Sequence, residues 1–264
     1  MAVASDSLRR EFDRARVSML GCPLDAVTLD QALGRVEAAI LDRLTCQHMA
    51  VNAAKLVRFQ GDPTLRAAIN GCELITADGQ AIVWAARLLG DPLPERVAGI
   101  DLMAALLELA SIRGYRVFIL GARPAVVSKA AASISARLPN LSLAYHHGYF
   151  ASNEEDAIVR QIASASPDLL FVALETPAKE LFLARHRGEL DVPFVMGVGG
   201  AIDVIAGVRR RAPRWMQRAG LEWLFRFVQD PRRLARRYVV GNTRFCLLVG
   251  RELLSRRRRQ AFGG

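Results

Sequence analysis

The chain has 264 residues and a net charge of +10, with 52% of its residues hydrophobic and 23% charged. This composition is that of a globular protein long enough to bury a sizeable core. Four scattered cysteines and four histidines show no zinc spacing, which predicts small buried thiols in a reducing compartment. The N-terminal residues lack the apolar region of a secretory signal. No apolar run approaches the roughly 20 residues of a membrane-spanning helix.

The positive charge is concentrated in a C-terminal tail, residues 208–264. Between Arg209 and Arg259 there are 16 arginines, no lysine and three acidic residues, a net charge of +13, whereas the rest of the chain carries −3. Such asymmetry indicates an anionic partner: nucleic acid, an anionic membrane or an anionic substrate. Because the tail also holds Trp215 and Trp223 and no nucleic-acid-binding motif, it favours an interfacial helix over nucleic-acid binding.

The first half of the chain predicts short strands alternating with longer helices. An N-terminal arm, residues 1–16, precedes a strand at Val17–Leu20. Thr28 can cap a helix whose apolar residues recur at helical spacing from Leu29 to Ile40. The other predicted elements of this half are a strand at His48–Asn52, a helix that breaks near Pro63, a strand at Glu73–Thr76, and helices at Ile82–Leu89 and Leu102–Arg113.

From Arg116 onward the alternation of strands and helices becomes regular. Strands separated by helices of 10–15 residues are typical of βαβ units and predict a mostly parallel sheet flanked by helices. We therefore predict an α/β core at residues 17–207, followed by a basic helical C-terminal appendage at 208–264. The predicted elements are strands Arg116–Leu120, Leu141–Tyr145, Asp168–Leu174 and Phe194–Gly197, and helices Pro124–Arg137, Asn153–Ala163 and Lys179–Gly188.

Residues that follow the strands form the candidate ligand site. In parallel α/β sheets, ligands bind outside the carboxyl ends of the strands. We call this side of the sheet the carboxyl edge. The residues selected by this rule are Asn52, Asp78, Gly121, Thr176 with its two neighbours, and Gly197–Gly200.

Gly197-Val198-Gly199-Gly200, which we call the glycine turn, could hold a phosphate. Glycine permits close approach of a ligand, and the free amides at the start of a helix can face an anion. Asp203 lies just inside the helix that follows. Tight packing without any ligand gives the same pattern, and the turn at Gly121 is a weaker example of it.

Polar residues on the other turns could support acid–base chemistry. Asp78 can accept a proton from a hydroxyl group, or it can cap the following helix. Asn52 can orient a substrate hydroxyl or cap a helix, and Asp101 is placed like another helix cap. Arg96 is either an anion contact or a surface ion pair. The sequence has no DxD pair to hold a metal on a nucleotide diphosphate, so helix dipoles and arginines would have to stabilise a leaving phosphate.

The tail predicts two helices, one starting at Arg214 after a proline and another at Asp230-Pro231. Arginine forks bind phosphate oxygens two at a time, so an arginine-rich helical face suits a pyrophosphate. A solvated basic face gives the same pattern. The arginines concerned form pairs four residues apart, Arg232 with Arg236 and Arg233 with Arg237.

Five stretches together resemble the WecG/TagA/CpsF glycosyltransferases, over about Val17 to Leu254. The longest is GVGGAIDVIAG followed by RRRAPRWMQRAGLEWLFRFVQDPRRLARRY, which is similar to the C-terminal signature of that family. The others, in chain order, are VNAAKLV at Val51–Val57, ITADGQAIVWAARLLG at Ile75–Gly90, ERVAGIDLM at Glu95–Met103 and VFILGA at Val117–Ala122.

The resemblance implies a metal-independent, inverting transferase with a Rossmann-like core and no cofactor. It would move a sugar from a UDP-sugar to a polyprenyl-diphosphate-linked sugar, as a peripheral protein at the cytoplasmic face of an anionic membrane. Asp78 matches the proposed base of the family, and Asn52 matches a substrate-positioning group. The tail is expected to close over the site and neutralise diphosphate, with Arg232, Arg233, Arg236 and Arg237 as the matching arginines.

Two departures from the family pattern bear on the sugar. Ala50 stands where the family commonly has Thr, and Lys179 stands where it has Gln. N-acetylmannosamine, its uronic acid and glucose are all compatible donor sugars. The competing interpretations are a nucleotide- or nucleic-acid-binding regulator and an inactive scaffold of polysaccharide assembly. Without its tail, the core is expected to self-associate.

Overall fold

The computed structural model describes residues 16–175, 178–186 and 188–262, with only the backbone at 180, 184, 233–238 and 260–262. Its centre is a six-stranded parallel sheet in the order β4-β3-β8-β7-β5-β6, and β1 pairs with β2 in an antiparallel hairpin. The strands are β1 Arg16–Met19, β2 Cys22–Asp25, β3 Cys46–Val51, β4 Leu74–Ala77, β5 Arg116–Gly121, β6 Ser142–His146, β7 Leu169–Ala173 and β8 Phe194–Gly197.

Helices connect the parallel strands and cover both faces of the sheet. Those of the core are α1 Leu29–Leu41, α2 Ala53–Phe59, α3 Pro63–Asn70, α4 Gln80–Leu89, α5 Gly99–Arg113, α6 Pro124–Arg137, α7 Glu155–Ala165, α8 Ala178–His186 and α9 Ala201–Ile205. Those of the tail are α10 Arg214–Arg218, α11 Glu222–Gln229 and α12 Pro231–Phe262. The predicted α/β fold with a parallel sheet is confirmed.

The central strands β5, β7 and β8 are almost entirely apolar because both of their faces are covered. Along β5, Val117 and Ile119 belong to one buried cluster, while Phe118 and Leu120 belong to another. Successive side chains of a strand point to opposite faces, so a strand buried on both faces lacks polar alternation. This pattern leaves the strand ends as the places where polar side chains gather.

The hairpin of β1 and β2 was only half predicted, since the sequence indicated one strand and a turn. It is fastened to the sheet by Asp25, a carboxylate whose side chain is fully buried. Asp25 accepts a hydrogen bond from the backbone amide of Ile75 at 2.6 Å and pairs with Arg16 and Arg35, each at 3.2 Å. A buried carboxylate that is satisfied by several donors holds those neighbours in place.

The tail packs on the core through its long helix. Phe245 and Val249 of α12 are buried in the same cluster as residues of α2 and α4. The predicted helix starts at Arg214 and at Asp230-Pro231 match the starts of α10 and α12. The division into arm, core and appendage stays a prediction, and residues 1–15 of the arm lie outside the described chain.

The four cysteines are free thiols. Cys22, Cys46 and Cys72 are buried, as predicted, and burial raises the pKa of the Cys22 thiol to about 12. Cys246 is exposed on α12, so the prediction of burial was wrong there. An exposed face of a helix follows from which side packs on the core, and the sequence around one cysteine does not reveal it.

Candidate active site

Asn52 and Asp78 lie side by side at the carboxyl edge. β3 and β4 are parallel neighbours with Val51 opposite Ala77, and each polar residue follows its strand directly. The backbone amide of Asp78 donates to the carbonyl of Val51 at 2.7 Å, which holds the two strand ends together. On the other side of β3 lies β8, so the glycine turn is the next part of the same edge.

The carboxyl group of Asp78 is placed to work as a base. It is half-buried, and no residue that the structure describes makes a hydrogen bond or ion pair with it. Burial raises the pKa of Asp78 above the usual carboxylate range. The charge of Arg226 opposes this shift, that of Glu222 adds to it, and those of Lys55 and Arg96 oppose it. A carboxylate that is destabilised in this way accepts a proton more readily.

The alternative role of Asp78 as a helix cap is wrong. The cap of α4 is Gly79, with φ of 139°, and no side chain bonds to the first turn. That backbone conformation favours glycine. The chain therefore turns sharply into α4, and the carboxylate of Asp78 is not used by the helix.

Asn52 does cap a helix, as one of its two predicted roles required. Its side-chain oxygen accepts a hydrogen bond from the backbone amide of Lys55 at 3.0 Å, at the start of α2. Its amide NH₂ group has no hydrogen-bond partner among the described residues. The cap thus fixes the side chain, while the NH₂ group is left to donate to a ligand.

Lys55 brings a positive charge to the same place, which the sequence analysis missed. Its Nζ atom donates to the carbonyl oxygen of Ala50 at 2.8 Å, so the side chain folds back towards the end of β3. The lysine lies three residues after Asn52, one helical turn along α2. That spacing was the available signal, because residues three apart on a helix share a face.

A buried polar pair beneath the edge positions the loop that carries Arg96. Nε2 of His48 lies 2.9 Å from Oγ1 of Thr76, and the Thr76 hydroxyl donates to the carbonyl of Val97 at 3.2 Å. Burial, followed by the charge of Lys55, lowers the pKa of His48 to about 3. His48 is therefore neutral, and we assign the proton to Nε2 because the Thr76 oxygen must accept there.

Arg96 is an ion-pair residue, one of the two roles predicted for it. Its guanidinium reaches Oε2 of Glu222 at 2.7 Å and Oδ2 of Asp101 at 3.4 Å. Asp101 does not cap α5, whose cap is Ala98. Instead both oxygens of Asp101 pair with Arg211, at 2.7 Å each. The pairs of Arg96 with Glu222 and of Asp101 with Arg211 thus join the core to the tail.

The first turn of α11 lies against the site. Glu222 is 9% exposed and pairs with Arg226 at 2.7 Å as well as with Arg96. Burial by itself would raise the pKa of Glu222, but the charges of Arg226 and Arg96 and their hydrogen bonds lower it below the usual value. We call Asp78, Lys55, Arg96, Glu222 and Arg226 the charged junction. Sequence reasoning did not place Glu222, Arg226 or Arg211 there, because pairs so distant in sequence depend on the fold.

At the glycine turn, the structure explains one glycine by packing. A Cβ atom on Gly197 would lie 2.8 Å from Cδ and Cε of Lys179, a buried lysine. Gly199 and Gly200 are exposed, and Gly199 has φ of 47°. The helix that follows, α9, has only five residues. Its Asp203 pairs with Arg209 at 3.7 Å. Phosphate binding at this turn stays a prediction.

Gly121 is likewise required by the sheet. A Cβ atom there would lie 2.5 Å from the carbonyl carbon of Ala173 on β7, and its φ is 130°. Gly121 is separated from β3 by β7 and β8 along the edge. Thr176 lies outside the described residues, so its predicted role is untested.

The predicted arginine face of α12 is only partly described. Arg232 is exposed, and the side chains of Arg233, Arg236 and Arg237 lie outside the described ones. Their predicted contact with diphosphate is therefore untested. Arg226, one helix earlier, is the tail arginine whose charge acts on Asp78.

Large apolar side chains are exposed on the tail and on α4. Within the described residues, no helix is long and apolar enough to cross a membrane. A groove of about 620 Å³ at the opposite end of α4 from Asp78 is lined by Leu88, Leu89, Gly90, Asp91, Leu253, Arg256, Arg257 and Arg259. The exposed large apolar residues of α4 and the tail include Trp84, Leu88, Trp215, Trp223, Val228 and Leu254.

Comparison with known proteins shows which family and which individual proteins the chain resembles. The model of the glycosyl transferase WecG/TagA/CpsF family matches residues 17–259. The chain is similar to proteins named N-acetylglucosaminyldiphosphoundecaprenol N-acetyl-beta-D-mannosaminyltransferase from Staphylococcus aureus strains MW2 and NCTC 8325 / PS 47. Each is 33% identical over 232 residues, which cover 87% of this chain and 91% of the relative. The protein of that name from strain MRSA252 is 32% identical over 232 residues.

Proposed function

Because the chain belongs to the WecG/TagA/CpsF family of glycosyltransferases, we propose that it transfers a hexose-type sugar from a UDP-sugar to a polyprenyl-diphosphate-linked sugar. The relatives are named for transfer of N-acetylmannosamine to N-acetylglucosaminyldiphosphoundecaprenol. That makes N-acetylmannosamine the first donor sugar to test and a diphosphate lipid the first acceptor. The product would serve cell-surface polysaccharide synthesis.

The observation that carries the proposal is the position of Asp78. It is a carboxylate without a described partner, at the carboxyl edge, with a pKa raised first by burial. Such a group suits the removal of a proton from a sugar hydroxyl, which is the step that an inverting transfer requires of its base.

The reaction follows as a single displacement. The acceptor hydroxyl loses its proton to Asp78, and its oxygen forms a bond to the anomeric carbon of the donor. The bond from that carbon to the UDP oxygen breaks with inversion, and UDP leaves with the bonding electrons. Asp78 then returns its proton to solvent. The NH₂ group of Asn52 can orient the attacking hydroxyl, since it is held by its cap to Lys55.

In this proposal, cationic side chains rather than a metal ion offset the negative charge of the UDP diphosphate on the donor and of the lipid diphosphate on the acceptor. Lys55, Arg96 and Arg226 lie close enough to act electrostatically on Asp78. Guanidinium forks bind phosphate oxygens in pairs, and they are worth most where water is excluded. The arginines of α12 would extend this positive field over the lipid diphosphate.

Contact with the membrane would bring the enzyme to its lipid substrate. Exposed tryptophans and arginines on one tail suit an anionic interface, where aromatic rings and charged heads both find partners. Trp215 is 64% exposed and Trp223 is 45% exposed. The protein would act as a peripheral protein at the cytoplasmic face.

The test is a panel assay with purified protein. UDP-N-acetylmannosamine, its uronic acid form and UDP-glucose are each offered with a polyprenyl-diphosphate-linked N-acetylglucosamine, and UDP release and product mass are followed. We expect transfer from one donor, unchanged by EDTA, and flotation of the protein with anionic vesicles that weakens as salt is added. UDP release from no donor, together with salt-sensitive binding to arbitrary DNA, would instead favour a nucleic-acid-binding regulator.

A further inference from the structure

One buried carboxylate, Glu222, lies between two arginines at the point where tail and core meet. Its Oε2 is 2.7 Å from Nη1 of Arg96, and its Oε1 is 2.7 Å from Nη2 of Arg226. The glutamate comes from α11, Arg96 comes from the loop after α4, and the two are 126 residues apart. Each carboxylate oxygen thus serves one guanidinium.

We propose that Glu222 is a positioning residue of the transfer reaction, which holds the guanidinium groups of Arg96 and Arg226 at the charged junction, where they would meet the diphosphate of the substrate. This role rests on the proposed function. The role of Glu222 goes beyond that function because it assigns a task to an acidic residue in a site that is proposed to bind anionic substrates.

The arginines need such a group, because two guanidinium ions repel each other. The repulsion is greater where water is partly excluded. The Arg96 side chain is 15% exposed, and that of Arg226 is 56% exposed. A carboxylate between them offsets the repulsion and occupies one edge of each fork. Arginine has five N–H donors, so the bond to Glu222 engages only part of each guanidinium group, and Arg96 also bonds to Asp101.

The place of Glu222 is fixed by two other contacts of the tail. Gly220 lies so close to α4 that a Cβ atom on it would be 2.9 Å from Cβ of Gln80 and 3.0 Å from the ring of Trp84. Arg211 forms its paired contact with Asp101. With the chain anchored on both sides, the first turn of α11 has little freedom to move away from the junction.

Glu222 also acts on the base through its charge. The charged groups that face Asp78 are Arg226, Glu222, Lys55 and Arg96. Glu222 is the anion among them, so it offsets part of the field of three cations. Without it, the ionised form of Asp78 would be stabilised, and Asp78 would be a weaker base.

The decisive variant is Glu222→Gln, which keeps the shape and removes the charge. Carbon-13 NMR titration of the Asp78 carboxyl group without substrate should show a lower pKa than in wild type, and the acid limb of kcat/KM should move to lower pH. We expect kcat/KM for the lipid acceptor to fall about tenfold or more. The matched control is Glu252→Gln, which removes a pair of the same i,i+4 spacing with Arg256, 2.9 Å long, on α12. It should leave both titrations unchanged.

A second variant keeps the test open if Glu222→Gln folds poorly. Glu222→Asp retains the charge with a shorter reach, so Asp78 should titrate as in wild type while kcat/KM falls less than in the Gln variant. An unmoved Asp78 titration in Glu222→Gln, or an equal loss of activity in the Glu252→Gln control, would overturn the proposal. The NMR titration needs no substrate, so a wild-type protein without transferase activity would count against the proposed function alone.

Discussion

Two parts of the carboxyl edge hold the residues that the sequence selects, and they differ in what surrounds them. At the charged junction, charged groups of α2, the Arg96 loop and α11 act on the carboxylate of Asp78, which has no described bonding partner. At Gly121 and Gly197, which we call the packed glycines, a neighbour lies where a side chain would be: the backbone of Ala173 at Gly121, and the end of the Lys179 side chain at Gly197. A buried polar group without a hydrogen-bond partner is a candidate for binding or catalysis. A glycine whose missing side chain would clash with a neighbour can be explained by packing.

The largest expected effect tests the junction side of this comparison. Asp78→Asn should lower kcat by roughly 10²- to 10⁴-fold, since it removes the base and changes little else. In wild type, kcat/KM should fall on the acid side at a pH above the ordinary carboxylate value of 3.8, because the pKa of Asp78 is raised. Steady-state rates between pH 4 and 9 measure both.

Stability provides the control for Asp78→Asn. Because its pKa is raised on folding, the folded protein holds the Asp78 proton more tightly than the unfolded chain does, and stability falls as pH rises through that range. The asparagine variant has no negative charge to bury at this position. Its free energy of unfolding at pH 7, measured by urea titration, should therefore equal or exceed that of wild type. A near wild-type rate in a well-folded variant would remove Asp78 as the base.

The next effect tests the packed glycines. Gly121→Ala should lower the free energy of unfolding by about 3 kcal/mol, since it combines a backbone clash with an unfavourable φ of 130°. Gly114→Ala is the matched control, because Gly114 has φ of 74° and open space around it. It should cost about 1 kcal/mol. Equal losses in the two variants would show that contact with β7 is not what requires glycine at 121.

The smallest expected effect tests whether the exposed part of the glycine turn belongs to the site. Gly199 has φ of 47° with open space around it, and Gly207 has φ of 68° in the same surroundings. Alanine at either position should cost about 1 kcal/mol of stability. If the glycine turn binds donor phosphate, only Gly199→Ala should also raise KM for the UDP-sugar.

The KM of the Gly199→Ala variant shows how far the site extends along the carboxyl edge. A selective rise in KM places the exposed half of the turn in the donor site. Matching KM values for both alanine variants would limit the site to the charged junction and its neighbours.

Prediction from sequence succeeded where the signal was local. Strand ends, helix starts and the turn at Asp78-Gly79 follow from apolar periodicity and from glycine and proline. The same local signals could not choose between roles. They allowed Asp78 to be a cap or a base. The observed cap at Gly79 excludes the first role, and the role as a base stays a proposal.

Local sequence patterns could not predict which side chains pair across the fold. Arg96 and Glu222 are 126 residues apart, and Asp101 and Arg211 are 110 apart. No periodicity links such positions, because their contact depends on strand order and on where the tail returns. The hairpin strand β2 was missed for a related reason, since four residues are too few to give a clear alternation.

The sequence by itself determined the alternating α/β architecture, the basic character of the tail and the placement of Asn52 and Asp78 at strand ends. These are consequences of chain-local patterns and of the rule that parallel strands share one carboxyl edge. Only the tertiary structure decided that the charges of Glu222 and Arg226 act on Asp78, and that Phe245 and Val249 bury one side of the tail helix on the core. Contacts of that kind come from packing and long-range electrostatics, which act between segments that the sequence leaves far apart.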